Sequence, residues 1–134
     1  MAMRTKFMLM LLVLGISACS NTEQTTLAGS AWKPVFEDIG DTGEAFVRFG
    51  EDGRVDGSSG CNMMQGGFTL DDDRISIGPL AMTRMACLDG MGVVEQRFTN
   101  ALMNAAKAER DGAKLSLFDA ENQKILDLKQ VDAE

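Results

Sequence analysis

Apolar and polar positions alternate over several short stretches, a pattern typical of half-buried β-strands. Clusters of Gly, Asp and Asn separate these stretches and predict hairpin turns. The predicted strands are Ala31–Glu37, Ala45–Phe49, Arg54–Gly57, Phe68–Leu70, Ile75–Ile77, Lys107–Arg110, Lys114–Phe118 and Lys124–Lys129. Pro34 lies inside the first of them and predicts an edge or bulged strand, because proline cannot donate a hydrogen bond to a neighbouring strand.

Helical periodicity occurs over Gly92–Ala106. One apolar stripe at helical spacing is formed by Val94, Phe98, Ala101, Leu102 and Ala105. Glu95 near the start and Lys107 at the end would suit the helix dipole. Short strands in hairpin order with one late helix predict an α+β fold that is mainly β. We expect a small antiparallel barrel or curled sheet covered by this amphipathic helix.

The N-terminus has the features of a cleaved targeting signal. Arg4 and Lys6 precede the apolar run Phe7–Leu14, which is too short for the roughly 20 residues that cross a bilayer as a helix. The run leads to Ile16-Ser17-Ala18-Cys19, which resembles a bacterial lipobox. We therefore predict a signal peptide over residues 1–18 and a lipid on Cys19. The alternative is an ordinary signal peptide cut near Ala18.

This signal predicts a lipid anchor in a bacterial cell envelope. Ser20, not Asp, follows Cys19, which favours the outer membrane, on its periplasmic face, if the source is Gram-negative. Residues 19–26 are polar and serve as a tether, and residues 27–130 form one domain. Lipidated Cys19 makes the membrane itself one predicted partner.

Charge and composition exclude several function classes. Without residues 1–18 the chain carries 20 acidic and 11 basic residues, a net charge of −9, which disfavours nucleic acid as a partner. The sequence contains no His, the commonest general base and a frequent metal ligand. No motif supplies a nucleophile paired with a base. We therefore expect no catalytic residues, no enzymatic activity and no cofactor.

Cys61 and Cys87 remain as an even pair once Cys19 is assigned to the anchor. Disulfides form and persist in the bacterial envelope, so we predict a Cys61–Cys87 bridge. Two buried free thiols or a redox pair are the alternatives, although the spacing is far from Cys-x-x-Cys.

Methionines cluster near this cysteine pair in sequence. They are Met63, Met64, Met82, Met85 and Met91. Thioether ligands favour Cu(I), and a copper site is one interpretation. Methionine also fills irregular gaps in protein cores, and this is the interpretation we favour. We therefore predict no metal site.

Four segments resemble the META domain, the domain of the HslJ-type heat-shock lipoproteins. They are Leu27-x-Gly29-x-x-Trp32, Asp52-Gly53-Arg54-Val55, Gly60-Cys61-Asn62 and Thr83-Arg84-Met85-Ala86-Cys87. The joint occurrence of the last two at this separation is specific. Phe68 departs from the family pattern, in which Tyr is common, and Met63-Met64 stands where more polar residues are usual.

The resemblance implies a lipocalin-like small barrel, an envelope location, an association with stress and antibiotic tolerance, and no enzymatic activity. We interpret the shared residues Gly60, Asn62, Thr83, Arg84 and Met85 as structural, with ligand binding as the alternative. Glycines at 57 and 60 would permit positive φ or a close backbone approach.

We expect a non-catalytic envelope lipoprotein that acts by binding another envelope protein or supports envelope-stress tolerance. A carrier of small apolar ligands is the alternative, followed by a methionine-based Cu(I) site.

Overall fold

The computed structural model describes residues 25–133, which form nine strands and one helix. The strands are β1 Ser30–Val35, β2 Phe46–Phe49, β3 Arg54–Ser58, β4 Met63–Asp71, β5 Arg74–Ile77, β6 Ala81–Met82, β7 Lys107–Asp111, β8 Lys114–Phe118 and β9 Lys124–Val131. The helix α1 spans Met91–Asn104. The predicted signal peptide over residues 1–18, the lipidation site Cys19 and most of the tether lie outside the described residues.

The sheet curls into a ring in which the last strand pairs with the first. Strands β1 to β5 pair consecutively, β5 meets β7, and β7, β8 and β9 continue to β1, with every pair antiparallel. The β5–β7 pair is the shortest in the ring, since only Arg74 and Lys107 are in register. This ring confirms the predicted mainly β antiparallel architecture with one helix.

Strands β5 and β6 follow one another along the same edge of β4. Residues 64 and 65 of β4 pair with β3 on one side and with β6 on the other, while Phe68–Asp71 pair with β5. Gly66 lies at the interruption between them, where an added Cβ would come within 3.0 Å of the Pro79 carbonyl oxygen. The sequence pattern predicts an extended segment over Pro79–Leu88, in which β6 lies, but it did not predict the first half of β4.

The prediction of an edge or bulged strand around Pro34 is wrong for the strand as a whole. β1 lies between β2 and β9, and Pro34 pairs with Leu128 of β9. Pairing with β2 ends at Trp32, however, so the nitrogen of Pro34 has no strand partner to satisfy. On that side the Thr42 hydroxyl donates a hydrogen bond to the Pro34 carbonyl at 3.2 Å.

Helix α1 packs against the barrel with the predicted face. All five residues of the apolar stripe are buried, and the helix contacts β5 and β9. The predicted dipole contacts are wrong, because α1 has no acidic residue in its first turn and no basic residue in its last. Glu95 contributes instead to a cluster beside the helix. Among residues 25–133, no helix has the length and apolar character required to cross a bilayer.

Large side chains of the barrel and helix occupy the centre of the molecule. Trp32, Phe49 and Phe98 are fully buried in one apolar cluster that extends through the inward positions of the strands. Phe68 lies at the margin of this cluster and contacts Phe49 edge-on, with ring centroids 5.0 Å apart. The Phe at position 68 therefore contributes apolar packing.

Candidate functional site

The loop between β3 and β4 depends on two glycines for different reasons. A Cβ on Gly57 would lie 2.1 Å from the Phe46 carbonyl oxygen, so this position requires the close approach that only glycine permits. Gly60 has φ 111°, a conformation that other residues rarely adopt. These are the two properties that the sequence analysis expected of the pair. The loop delivers Cys61 and Asn62 to the side of α1.

The side-chain amide of Asn62 pins the segment that precedes α1. Its Oδ1 accepts hydrogen bonds from the Met85 amide at 2.6 Å and the Thr83 hydroxyl at 2.9 Å. Its Nδ2 donates to the Met85 carbonyl at 3.2 Å and to Glu95 Oε2 at 2.8 Å. Asn62 is 3% exposed, and these four bonds use its full hydrogen-bonding capacity. The side-chain amide of Asn62 thus satisfies the backbone N–H and C=O of Met85, as a neighbouring strand would.

Thr83 continues the pairing of β6 with β4 by one residue, through hydrogen bonds to Met63. The Met63 amide donates to Thr83 Oγ1 at 3.0 Å, and the Thr83 amide donates to the Met63 carbonyl at 3.1 Å. Because the same hydroxyl donates to Asn62, Thr83 joins the strand pairing to the buried amide. These contacts support the structural interpretation of Asn62, Thr83 and Met85. Arg84 is exposed and takes no part in them.

Cys61 and Cys87 lie at disulfide distance, with Cα atoms 5.5 Å apart, inside the range of about 4.4–6.8 Å found for disulfides. Asn62 and Met85, whose hydrogen bonds are described above, lie close to the two cysteines in the chain. Cys61 is adjacent to Asn62, and Cys87 lies two residues beyond Met85. Both cysteines are half-buried. The hydrogen bonds of Asn62 therefore link the two segments that carry the cysteines, in addition to the bridge.

Glu95 brings a half-buried carboxylate to the cysteine pair. Its Oε2 accepts hydrogen bonds from Asn62 Nδ2 and from the hydroxyl of Ser59, and lies 3.1 Å from the Cys61 sulfur. Ser59 Oγ also accepts a hydrogen bond from the backbone N–H of Asn62 at 3.1 Å. Ser59 is fully buried, so its hydroxyl is not accessible to a substrate. One ligand atom from each of Cys61, Cys87 and Glu95 lies within 4.8 Å of the other two.

Ser59 and Glu95 were not predicted as members of this cluster. Glu95 lies at i+4 from Met91 and i−3 from Phe98, on the inward side of an amphipathic helix. A carboxylate on that side must have a partner, and this was the available signal. Ser59 left no comparable signal, because small hydroxyl residues are common in Gly-rich turns.

The methionines do not all belong to the core, which corrects the sequence interpretation. Met64 is 3% exposed, and Met82 and Met91 pack against the core. Met63 is 57% exposed and Met85 is 66% exposed. Alternation along β4 explains Met63, which points away from Met64. Asn62 holds the backbone of Met85, so that its side chain remains in solvent.

The profile of the META domain matches residues 23–132 of the 134-residue chain. The chain belongs to the META domain family. Its resemblance to that family, carried by Gly60-Cys61-Asn62 and Thr83–Cys87, is thereby confirmed. A comparison with curated proteins gave no match.

Solved structures share the META domain fold at low sequence identity. A protein from Burkholderia xenovorans, determined by NMR, has a TM-score of 0.62 at 22% identity, over 80% of this chain and 85% of its own. A second NMR structure has a TM-score of 0.61 at 23% identity, over 77% and 90%. A DUF4847 family protein from Bacteroides vulgatus has a TM-score of 0.59 at 15% identity, over 81% and 96%. These similarities establish the fold.

Proposed function

We propose that this META domain is a non-catalytic protein-binding module of the bacterial envelope, anchored through lipidated Cys19 and supporting envelope-stress tolerance. We assign its contact surface to three side chains, Met63, Met85 and Leu88, and call them the methionine face. The proposal includes an outer-membrane location on the periplasmic side if the source is Gram-negative.

The observation that carries this proposal is the exposure of large apolar side chains on a fixed backbone. Met63, Met85 and Leu88 are 57%, 66% and 73% exposed. Met63 and Met85 belong to the segments that Asn62 and Thr83 join, and the Leu88 carbonyl accepts the Met91 amide at the start of α1. A surface that is ordered before binding avoids part of the entropy cost of association.

The chemistry of the face suits a protein partner. Methionine is flexible and polarisable, and it is frequent on surfaces that bind other proteins. Exposed apolar side chains favour a partner with an apolar contact patch. The mature chain's net charge of −9 favours a neutral or basic rim on that partner.

Other functions receive less support from the described residues. A carrier of apolar ligands would need space in the barrel, where Trp32, Phe49 and Phe98 instead pack in one buried cluster. A hydrolase would need an accessible nucleophile, and the Ser59 hydroxyl beside Glu95 is buried. We therefore favour the binding module over both.

Site-specific photocrosslinking in living cells of the source organism tests the proposal. A photoreactive residue replaces Met85 or Leu88 in the anchored chain, and the control replaces Met103, which is 45% exposed on the last turn of α1. We expect a discrete adduct with one envelope protein from positions 85 and 88, and none from 103. Equal adducts at all three positions, or none from 85 and 88, would contradict the proposed surface.

A further inference from the structure

We infer that Cys61, Cys87 and Glu95 form a site that binds zinc when the disulfide between the two cysteines is reduced. The starting observation is that one ligand atom from each residue lies within 4.8 Å of the other two. The inference concerns a second property of this domain and does not depend on the methionine face.

The donor set matches the preferences of Zn²⁺. Two thiolates and one carboxylate are ligands that zinc accepts, at about 2.3 Å and about 2.0–2.2 Å. In a tetrahedral site with such bonds, neighbouring ligand atoms lie roughly 3.3–3.8 Å apart. The three atoms here already lie within 4.8 Å, so small side-chain rotations suffice once the sulfurs separate. The fourth position would be filled by water.

The site would survive loss of the bridge because other contacts hold the cysteines. Asn62 binds both the amide and the carbonyl of Met85, two residues before Cys87, and is itself the neighbour of Cys61. Thr83 joins the same segment to β4 through Met63. The reduced thiols therefore stay close together and do not separate with a mobile loop.

Hydrogen bonds from the surrounding residues orient the carboxylate. Ser59 Oγ and Asn62 Nδ2 both donate to Glu95 Oε2, which fixes the group beside the Cys61 sulfur. Such partners of a ligand are typical of metal sites and raise their affinity. Cys61, Cys87 and Glu95 are half-buried, so an ion and a reductant can reach them. The acidic mature domain also attracts cations.

The redox step balances with a dithiol as reductant. One thiolate of the dithiol attacks a sulfur of the Cys61–Cys87 disulfide, and the resulting mixed disulfide is resolved by its second thiol. The dithiol becomes a disulfide, and Cys61 and Cys87 each gain one electron and one proton. Zn²⁺ then displaces the two thiol protons as it binds.

The test uses the full chain purified in detergent, oxidised or reduced. A phosphine reduces the bridge, taking oxygen from water to become the phosphine oxide, and is removed without air before titration. Zn²⁺ is added against a chromophoric chelator. We expect the reduced chain to bind one Zn²⁺ at least about 100-fold more tightly than the oxidised chain. Equal affinity of the two forms would overturn the inference.

Glu95→Gln separates this site from simple binding by two thiols. Its amide oxygen can still accept from Ser59 and Asn62, so the oxidised variant should keep the wild-type melting curve. We expect its reduced form to bind Zn²⁺ about 10–100-fold more weakly. Glu121→Gln, at an exposed position in the β8–β9 turn, is the matched control and should bind as wild type. Unchanged affinity of Glu95→Gln would refute the role of the carboxylate.

X-ray absorption of the wild-type zinc complex gives a readout that needs no variant. The inference predicts two sulfur and two oxygen or nitrogen ligands. A shell of four sulfurs, or one without sulfur, would contradict it.

Discussion

Asn62 connects three parts of the chain through one side-chain amide. It bonds to the backbone of Met85, to the hydroxyl of Thr83 and to the carboxylate of Glu95. Because the amide is buried and all its hydrogen-bonding positions are used, we expect even an isosteric replacement to destabilise the domain. Aspartate would lack the N–H donors and would place a second carboxylate against Glu95.

Asn62→Ala should lower the free energy of unfolding by about 2–4 kcal/mol, since it leaves buried donors and acceptors unpaired. Urea unfolding of the oxidised protein measures this loss. Asn104→Ala is the control, because Asn104 is exposed and bonds to the Asn100 carbonyl of its own helix. We expect the control to change stability by less than about 0.5 kcal/mol. A loss below about 1 kcal/mol for Asn62→Ala would contradict its connecting role.

Asp127 makes the stability of the β8–β9 pair depend on pH. Partial burial alone would raise the pKa of Asp127, but hydrogen bonds from Lys124 and Ser116, with the charges of Lys124 and Lys114, bring it below its usual 3.8. The unfolded state therefore binds the proton more readily. The stabilisation is complete at neutral pH and is lost as the pH falls through 3.8 and then through the lower folded value.

Asp127→Asn should accordingly reduce stability by up to about 1 kcal/mol at neutral pH. The difference from wild type should shrink as the pH falls below about 4, because the wild-type carboxyl then becomes neutral as well. Thermal unfolding across this range checks it. A constant difference from neutral to strongly acidic pH would exclude the ion pairs as its origin.

At the scale of elements, strands with regular alternation were predictable and irregular ones were not. Leu115 and Leu117 of β8 alternate with polar residues, and both are fully buried. The first half of β4 contains Gly66-Gly67, which breaks the alternation, and β6 has only two residues. Pairing along one interrupted edge decides these segments, and such pairing is a tertiary property.

The site was predictable to the level of its motif. The sequence brings Asn62 and Cys61 into one group and Thr83, Met85 and Cys87 into another. The sequence does not reveal that the side-chain amide of Asn62 bonds to the backbone of Met85. The two residues are separated in the chain by most of β4 and by β5 and β6, and only the folded sheet brings them together. Exposure of the Met85 side chain follows from the same contact, and exposure of Met63 follows from a β4 start that the sequence pattern did not predict.

Gly57 and Gly92 provide a matched pair of Gly→Ala substitutions with opposite outcomes. A Cβ at 57 would lie 2.1 Å from the Phe46 carbonyl oxygen, whereas a Cβ at 92 would make an ordinary van der Waals contact with Cys87 Cβ at 3.7 Å. Gly57→Ala should destabilise the domain by about 3 kcal/mol or more. Gly92→Ala, inside α1, should stabilise it by about 0.4–1 kcal/mol. Denaturant unfolding decides, and similar effects at the two positions would contradict the crowding at the β2–β3 pair.

At the scale of the whole molecule, a closed sheet with a packed centre leaves the surface to carry the proposed function. The ring pairs β9 with β1, and α1 covers the barrel with its apolar stripe. The methionine face lies beside the start of this helix, on segments joined by the motif residues. Of the shared motif residues, Met85 belongs to the proposed contact, and Asn62 and Thr83 hold the segments that carry it.

Anchoring should matter for the same reason. The predicted tether over residues 19–26 would span only about 25 Å when fully extended, so the proposed anchor would keep the domain close to the membrane. Cys19→Ala with an ordinary cleavable leader should give a folded soluble domain that fails to restore stress tolerance to a deletion strain. Complementation at matched abundance checks this. Full complementation by the soluble form would favour a diffusible carrier.

The central claim is that the domain acts through the methionine face. Its most direct test compares Met85→Asp/Leu88→Asp with the control Val35→Asp/Met103→Asp, which changes apolar residues that are 40% and 45% exposed elsewhere. Both anchored variants are expressed at matched abundance in the deletion strain, after thermal melts confirm that each is folded. We expect the control to restore envelope-stress tolerance and the face variant to fail. Full restoration by the face variant would contradict the account.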